Sequence, residues 1–306
     1  MNAARHIRGN ELPAVRGRLL RDEPMAAHCS WRAGGTADWY FEPADRADLQ
    51  DFLRRLDRRL PVTWIGLGSN LLVRDGGLRG VAIVPLKGLR ALHIEAGRVQ
   101  AEAGVSCARL ARETARAGLE GLDFLAGIPG TVGGALAMNA GAFGGETWTH
   151  VSAVEVIDRS GRVHHRTPDE YRIGYREVKH PATDEWFLSG EFMLPARGAD
   201  GSAEIKPLLD RRNRSQPIGQ PSCGSVFRNP PGDHAARLIE ACGLKGHCIG
   251  GACVSEKHAN FIINTGTATA TEIEGLIQHV RDRVRQAFGI QLLPEVRIIG
   301  DAGGRS

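Results

Sequence analysis

Two glycine-rich strings carry the first chemical signal in this sequence. Gly66-Leu67-Gly68-Ser69-Asn70 stands between two short apolar runs, and glycine there allows the positive φ that turns backbone amides toward an anion. It is not a dinucleotide fingerprint, because the third glycine and the following helix are missing, and a plain β-turn has the same composition. The second cluster holds eight glycines between positions 121 and 145. In it Gly127-Ile128-Pro129-Gly130-Thr131-Val132-Gly133-Gly134 runs into Ala135-Leu136-Ala137-Met138-Asn139-Ala140-Gly141. Residues this small let the backbone lie against a flat or phosphorylated ligand, so that amides do the binding. The run lacks the Gly-Lys-Ser/Thr of a P-loop, which disfavours that kind of nucleotide hydrolysis. A tightly packed small-residue helix start is the competing reading of the same composition.

Other reactive side chains are less telling one by one. Ser225 reads as a turn hydroxyl, and no Gly-x-Ser-x-Gly surrounds it to make a nucleophile. Arg176 and Glu295 read by default as ion-paired or solvated charges. Cys242, Cys248 and Cys253 with His247 and His258 contain no C-x-x-C, so no metal site is expected. The six cysteines are expected to be reduced, buried thiols. His164 and His165 fall on one predicted strand and therefore point to opposite faces.

These residues must be positioned by the elements around them. Residues 1–24 are polar and aperiodic, and an N-terminal arm is expected over 1–27. From 37 to 102 short apolar runs alternate with turns and read as strands. One helix interrupts them, capped by Asp45 with Leu49, Phe52, Leu53 and Leu56 on one side; a second runs from Ser106 to Gly118. Val151–Asp158 and Arg162–Arg166 read as a hairpin, and Trp186–Leu194 as a further strand. The Ala-Arg-Gly-Ala-Asp-Gly-Ser stretch at 196–202 is the best linker, which divides the chain into domains at 28–198 and 199–306. Beyond it, Asp233 could cap a helix ending at Gly243, and Thr271 with Glu274 suits a capping box. The helix that follows carries Ile273, Leu276, Ile277, Val280, Val284 and Phe288 in one stripe. Leu292–Ile299 reads as a last strand.

With Ser30-Trp31-Arg32-Ala33-Gly34-Gly35 upstream, the two glycine loops resemble the flavin-binding core of the UDP-N-acetylenolpyruvoylglucosamine reductase (MurB) family. The resemblance continues through Gly174-Tyr175-Arg176, the run from Pro221 to Pro230, the run from Val254 to Phe261, and Pro294-Glu295-Val296. These blocks stand in the family's order over about residues 28–300. The resemblance implies an α+β fold: a two-part FAD-binding domain of the vanillyl-alcohol-oxidase/PCMH type, then a smaller α/β substrate-binding domain. It implies non-covalent FAD held by Gly66, Gly68, Ser69, Asn70, Gly127, Ile128, Pro129, Gly130, Thr131, Gly133, Gly134, Ala137, Asn139 and Gly141. NADPH would be the co-substrate, sharing one cleft in turn with UDP-N-acetylglucosamine enolpyruvate. Ser225 would protonate the substrate carbanion, Arg176 would stabilise the enolate, and Glu295 would act near the substrate carboxylate. Tyr175, Arg214, Asn229, Lys257 and Arg297 would bind the UDP-sugar. The sequence departs from the family's usual residues at Cys29, Cys223 and Phe143, and a cysteine at 223 would make the site oxidation-sensitive. Lys179 to Trp186 is too short for the substrate-covering insertion of the longer subgroup, so the chain resembles the short form.

Composition fits that picture without demanding it. Net charge is +4, and only 5 of 39 basic residues are Lys, spread so evenly that a nucleic-acid stripe is not expected. No apolar run follows the N-terminal arginines, and no window approaches the ~20 apolar residues of a spanning helix. A cytoplasmic monomer without membrane insertion is the expectation. Two other functions compete: an FAD-dependent oxidase or dehydrogenase on another substrate, and a non-catalytic nucleotide-sugar binding protein.

Overall fold

The computed structural model describes residues 12–303, so the part of the expected arm at 1–11 lies outside the described residues. Six α-helices occur among them: α1 Arg46–Arg55, α2 Cys107–Arg116, α3 Val132–Met138, α4 Ser202–Ser215, α5 Ala235–Ala241 and α6 Ala270–Phe288. Asp45 caps α1 by accepting from the Asp48 amide at 2.9 Å, and Ser106 caps α2 from the Arg109 amide at 3.2 Å. Each cap satisfies an amide that the first helical turn leaves without a partner.

Two larger sheets build the first domain. In one, Arg18–Pro24 pairs antiparallel with Thr36–Glu42, which runs parallel to Leu78–Ile83, itself parallel to Val62–Trp64. The expected arm is therefore shorter than read, because 18–24 is an edge strand whose leucines at 19 and 20 are half-buried. The second sheet is antiparallel, ordered Val163–Arg166, Val151–Asp158, Glu185–Met193, Arg98–Glu102, Leu92–Glu95. In its hairpin His164 meets Asp158 at 2.7 Å and His165 meets Glu155 at 3.6 Å, on opposite faces. The C-terminal part is a small antiparallel sheet of Cys248–Ile249, Ala252–Val254 and Ile262–Asn264, with α5 and α6.

Several expectations need correcting. The stretch at 196–202 leads first into a helix that packs on the first domain. After it α4, which the sequence reading did not include, folds back so that Ile205 and Leu209 join the apolar cluster of α2, α3 and the antiparallel sheet. Pro207 inside α4 had hidden its i, i+3, i+4 pattern. Conversely, Trp31 from the N-terminal half completes the C-terminal core; its indole donates to Ile262 O at 2.7 Å. Of the expected last strand only Arg297–Ile299 forms, and it pairs in parallel with Leu71–Val73 of the first domain.

The caps shift too. The α6 box is Thr269 with Glu272, two residues before the pair expected at Thr271 and Glu274. Both pairs have the same spacing, and tertiary contacts decide: Thr271 donates to Asp75 at 2.6 Å, and Glu274 takes both arms of Arg74. Asp233 does not cap α5 either; it pairs with Arg237, and Asn229 Oδ1 accepts from the Ala235 amide at 3.1 Å. Finally, Cys248 and Cys253 are register partners in the small sheet and form a disulfide, so not all six cysteines are thiols.

Candidate functional site

The two glycine loops converge. Gly68 has φ +68, and a Cβ there would stand 2.0 Å from His28 O, so only glycine fits. The second loop is fastened from behind: Cys107 N donates to Gly130 O at 3.0 Å, Val132 N to Val105 O at 2.8 Å and Gly133 N to Ala103 O at 2.9 Å. A Cβ on Gly66 would come within 3.0 Å of Thr131 Oγ1, and one on Gly130 within 3.8 Å of Ser69 Oγ. The amides of Gly66, Leu67, Gly68, Ser69, Asn70, Gly130 and Thr131 donate to no acceptor among the described residues. All of these residues except exposed Leu67 are buried or half-buried, where amides rarely stay unpaired, so this cradle has the donor set of a site for a polyanionic ligand.

Not every glycine of the cluster faces that cradle. A Cβ on Gly133 would meet Ala103 Cβ at 2.9 Å, so this glycine serves helix packing. Asn139 is buried, and its side chain is occupied internally: Nδ2 donates to Glu146 at 2.9 Å and to Gly174 O at 3.2 Å, while Oδ1 accepts from Trp148 N at 3.1 Å. It sits in the left-handed region at φ 44 and ends α3.

Beside the cradle, three residues far apart in sequence come together. Tyr175 and Arg176 form the two-residue tip between strands Arg172–Gly174 and Glu177–Lys179. Arg176 takes φ +55, an unfavourable conformation for a non-glycine residue. Its guanidinium holds it there by donating to Gly141 O and, at 3.3 Å, to Asn139 O. Arg176 Nε lies 3.2 Å from Glu295 Oε1, yet this N–H is buried without a hydrogen-bond acceptor. The contact is thus a close approach without a hydrogen bond, and one buried guanidinium N–H is left without an acceptor among the described residues. The Tyr175 ring stacks under the guanidinium at 5.2 Å and is itself exposed.

Glu295 is held by its backbone. Its amide donates to Val226 O at 2.7 Å, and its carbonyl accepts from Asn70 Nδ2 at 3.0 Å. Asn70 therefore joins the first glycine loop to the acid, a link the sequence reading missed because it treated Asn70 only as part of the loop. Burial raises the Glu295 pKa above the usual carboxylate range, against the opposing pull of Arg176 and Arg228. Ser225 immediately precedes Val226, half-buried, after Gly224 at φ +73. A weak acid, a carboxyl group biased to its neutral form and a fixed guanidinium suit a reaction that builds negative charge and then takes up a proton.

The remaining polar residues spread outward. Lys257 Nζ donates to Asn213 O at 2.6 Å, which brings it beside exposed Arg214 at the end of α4. Arg297 is exposed and its amide donates to Asn70 O at 3.0 Å. Asn229, already bonded to α5, belongs to that helix start. Cys223 is buried against Leu71 O at 3.4 Å, and burial pushes its thiol up to about 12, as it does for Cys29. Burial disfavours the thiolate at this position, the form through which a cysteine reacts.

Comparison with known proteins agrees with this geometry. Residues 216–299 match the C-terminal domain of UDP-N-acetylenolpyruvoylglucosamine reductase, and residues 37–167 match the FAD binding domain. The UDP-N-acetylenolpyruvoylglucosamine reductase of Alkalilimnicola ehrlichii is 59% identical over 94% of this chain and 96% of its own. That of Methylococcus capsulatus is 56% identical over 94% and 95%. The crystal structure of the Thermus caldophilus reductase (MurB) superposes with a TM-score of 0.77 at 33% identity, covering 93% of this chain and 99% of the other. By sequence and by structure the chain belongs to the UDP-N-acetylenolpyruvoylglucosamine reductase family of oxidoreductases, with FAD as its cofactor.

Proposed function

We propose that this protein reduces UDP-N-acetylglucosamine enolpyruvate to UDP-N-acetylmuramate with NADPH, in the cytoplasm, as a step of peptidoglycan precursor synthesis. The observation that carries the reading is the Arg176–Glu295 pair standing one residue from Ser225 across the Glu295 N to Val226 O bond. FAD, when bound, supplies the relay that takes hydride from NADPH and delivers it to the enol ether. The unpaired amides of Gly66–Asn70, Gly130 and Thr131 fit its diphosphate and ring edge, and they would hold it.

The chain's own side chains manage the charge and the proton. Hydride addition to the alkene pushes an electron pair toward the substrate carboxylate. The Arg176 guanidinium, fixed by two carbonyls, stabilises that charge without having to reorganise. Glu295, whose pKa burial raises against the pull of Arg176 and Arg228, would stand beside the same carboxylate with its charge disfavoured and its repulsion reduced. Ser225 then gives its hydroxyl proton to the adjacent carbanion. Arg214, Lys257 and Arg297 lie toward solvent, where a UDP-sugar diphosphate would be met. Tyr175 offers an exposed ring beside Arg176 for the sugar.

The test is direct. Purified protein should be yellow, should bleach anaerobically with NADPH, and should regain colour when UDP-N-acetylglucosamine enolpyruvate is added. Bleaching without substrate-driven recovery would reassign the enzyme to another acceptor, and absence of flavin would remove the reading.

A further inference from the structure

We infer that Asn260 is a positioning residue that sets the spacing between Ser225 and Glu295 by locking the Val226–Phe227 peptide. The inference rests on the reaction proposed above and adds to it a residue without contact to any reacting group. Asn260 is 4% exposed. Its main-chain carbonyl accepts from Val226 N at 2.9 Å. Its side chain closes on both polar atoms of Phe227: Oδ1 accepts from Phe227 N at 3.0 Å, and Nδ2 donates to Phe227 O at 2.8 Å. An amide side chain is the group that can do both at once, because it carries an acceptor and a donor side by side.

The locked peptide is the one from which both reactive groups hang. Val226 O receives Glu295 N at 2.7 Å and Val296 N at 3.4 Å, so the acid's strand is registered on it. Ser225 is the residue just before it. On the other side of Ser225, Gly224 has φ +73, and nothing stands within 4 Å of where a Cβ would be. The serine is thus free on one flank and fastened on the other, and Asn260 provides the fastening. Loss of the lock would let Ser225 drift relative to Glu295 and Arg176 while leaving the flavin cradle untouched.

The experiment uses the FAD-loaded full chain in two anaerobic half-reactions, reduction by NADPH and reoxidation by UDP-N-acetylglucosamine enolpyruvate. Asn260→Ala should slow reoxidation by about 10²-fold, the order expected for a misplaced reacting group, with reduction changed by no more than about twofold. Asn260→Asp sharpens the test. It keeps the acceptor, and its protonated form, which burial favours, also restores a donor to Phe227 O. Its reoxidation rate relative to wild type should therefore recover as pH falls and collapse as pH rises. Glu256, Lys257 and His258 on its own loop, Glu295 across Val226, and Arg176 and Arg228 beyond it are present in both proteins, so the rate ratio at each pH removes their titration. If the alanine variant loses flavin, the pH course of the aspartate variant decides alone. Equal slowing of both half-reactions in a flavin-loaded alanine variant, or a flat ratio across pH for the aspartate, would overturn the inference. A wild-type enzyme that the enolpyruvate does not reoxidise would fail the proposed function itself, before any variant is compared, and the inference with it.

Discussion

Around Gly66–Asn70 and Gly130–Thr131 the chain offers main-chain amides; beside them, at Ser225 and Glu295, it offers side chains. The first region belongs to the domain with the two larger sheets; one of its loops joins two strands, and the other leads into α3 and is fastened to the backbone at Val105 and Ala103. The second hangs from an irregular segment and a short parallel strand that crosses back into the first domain. The contrast predicts two different vulnerabilities. A backbone site is damaged by adding atoms, because there is no side chain to remove. A side-chain site is damaged by deleting them. Variants that obey this division sharpen it, and variants that do not would break it.

The largest effect should come from Ser225→Ala. In the proposed reaction, reduction of the flavin by NADPH would need no proton from Ser225, while enolpyruvyl reduction would. Reoxidation by substrate should slow by ~10²–10⁴-fold, the usual loss for a positioned general acid, with bleaching by NADPH near normal. Ser225→Cys should regain part of the rate, being a stronger acid of similar size. Equal slowing in both half-reactions would mean that the hydroxyl shapes the pocket instead.

Among side chains placed at the reacting groups, Glu295→Gln should have the next largest effect. It keeps a hydrogen-bonding amide, so its cost should be on the order of tenfold in reoxidation, below the ~10²-fold of losing a donor outright. Stability supplies an independent readout. The folded pKa of Glu295 is raised by burial, so its contribution is fully present below the ordinary carboxylate range and is lost as pH rises through the raised value. Glutamine carries no such loss. The melting temperature of the variant relative to wild type should therefore rise as pH climbs from the ordinary carboxylate range through the raised value, and a constant difference would contradict the raised pKa.

The same contrast explains what was legible in the sequence. The glycine loops were readable because close backbone approach leaves a compositional trace, and Asp45 and Ser106 mark helix starts by local rules. The pairing of Arg176 with Glu295 was not readable, since 119 positions separate them and only the crossing of Arg297–Ile299 onto Leu71–Val73 brings the acid to the loops. The family resemblance supplied what local physics could not. The α6 cap failed for a related reason: Thr269 and Thr271 offer equal local signals, and Asp75, almost two hundred residues away, selects between them. Asn260 left no trace at all, because a buried asparagine that copies a strand looks in sequence like any polar residue of a turn.

Gly130→Val turns the comparison toward the cradle. Gly130 does not need positive φ, and a Cβ there meets nothing closer than Cys107 Sγ at 3.7 Å. The chain should fold, but the added methyls would occupy the space next to the free amides. Flavin affinity should fall at least about tenfold, equivalent to ~1.4 kcal/mol, with melting of the apoprotein nearly unchanged. Gly68→Ala is the internal control, because its Cβ would collide with His28 O and destabilise the loop itself. Full flavin content in the Gly130 variant would remove this loop from the cofactor site.

The smallest effect tests where the two regions part company. Arg214 stands on α4, which packs on the flavin-side core, yet it is exposed and near Lys257 of the C-terminal part. If side chains on the substrate side act separately from the backbone cradle, Arg214→Ala should leave the flavin spectrum and content intact while weakening UDP-sugar binding. An exposed charge contributes about 0.2–1 kcal/mol, so the dissociation constant of the sugar nucleotide should rise by roughly 1.4- to fivefold. Raising the salt concentration should shrink the difference, since the interaction is screened at the surface. The position of α4 makes the outcome informative in both directions. Release of FAD by this variant would show that α4 transmits strain to Gly127, whose Cβ position lies 3.7 Å from the neighbouring Arg212 side chain, and the separation of the two regions would fail at that helix.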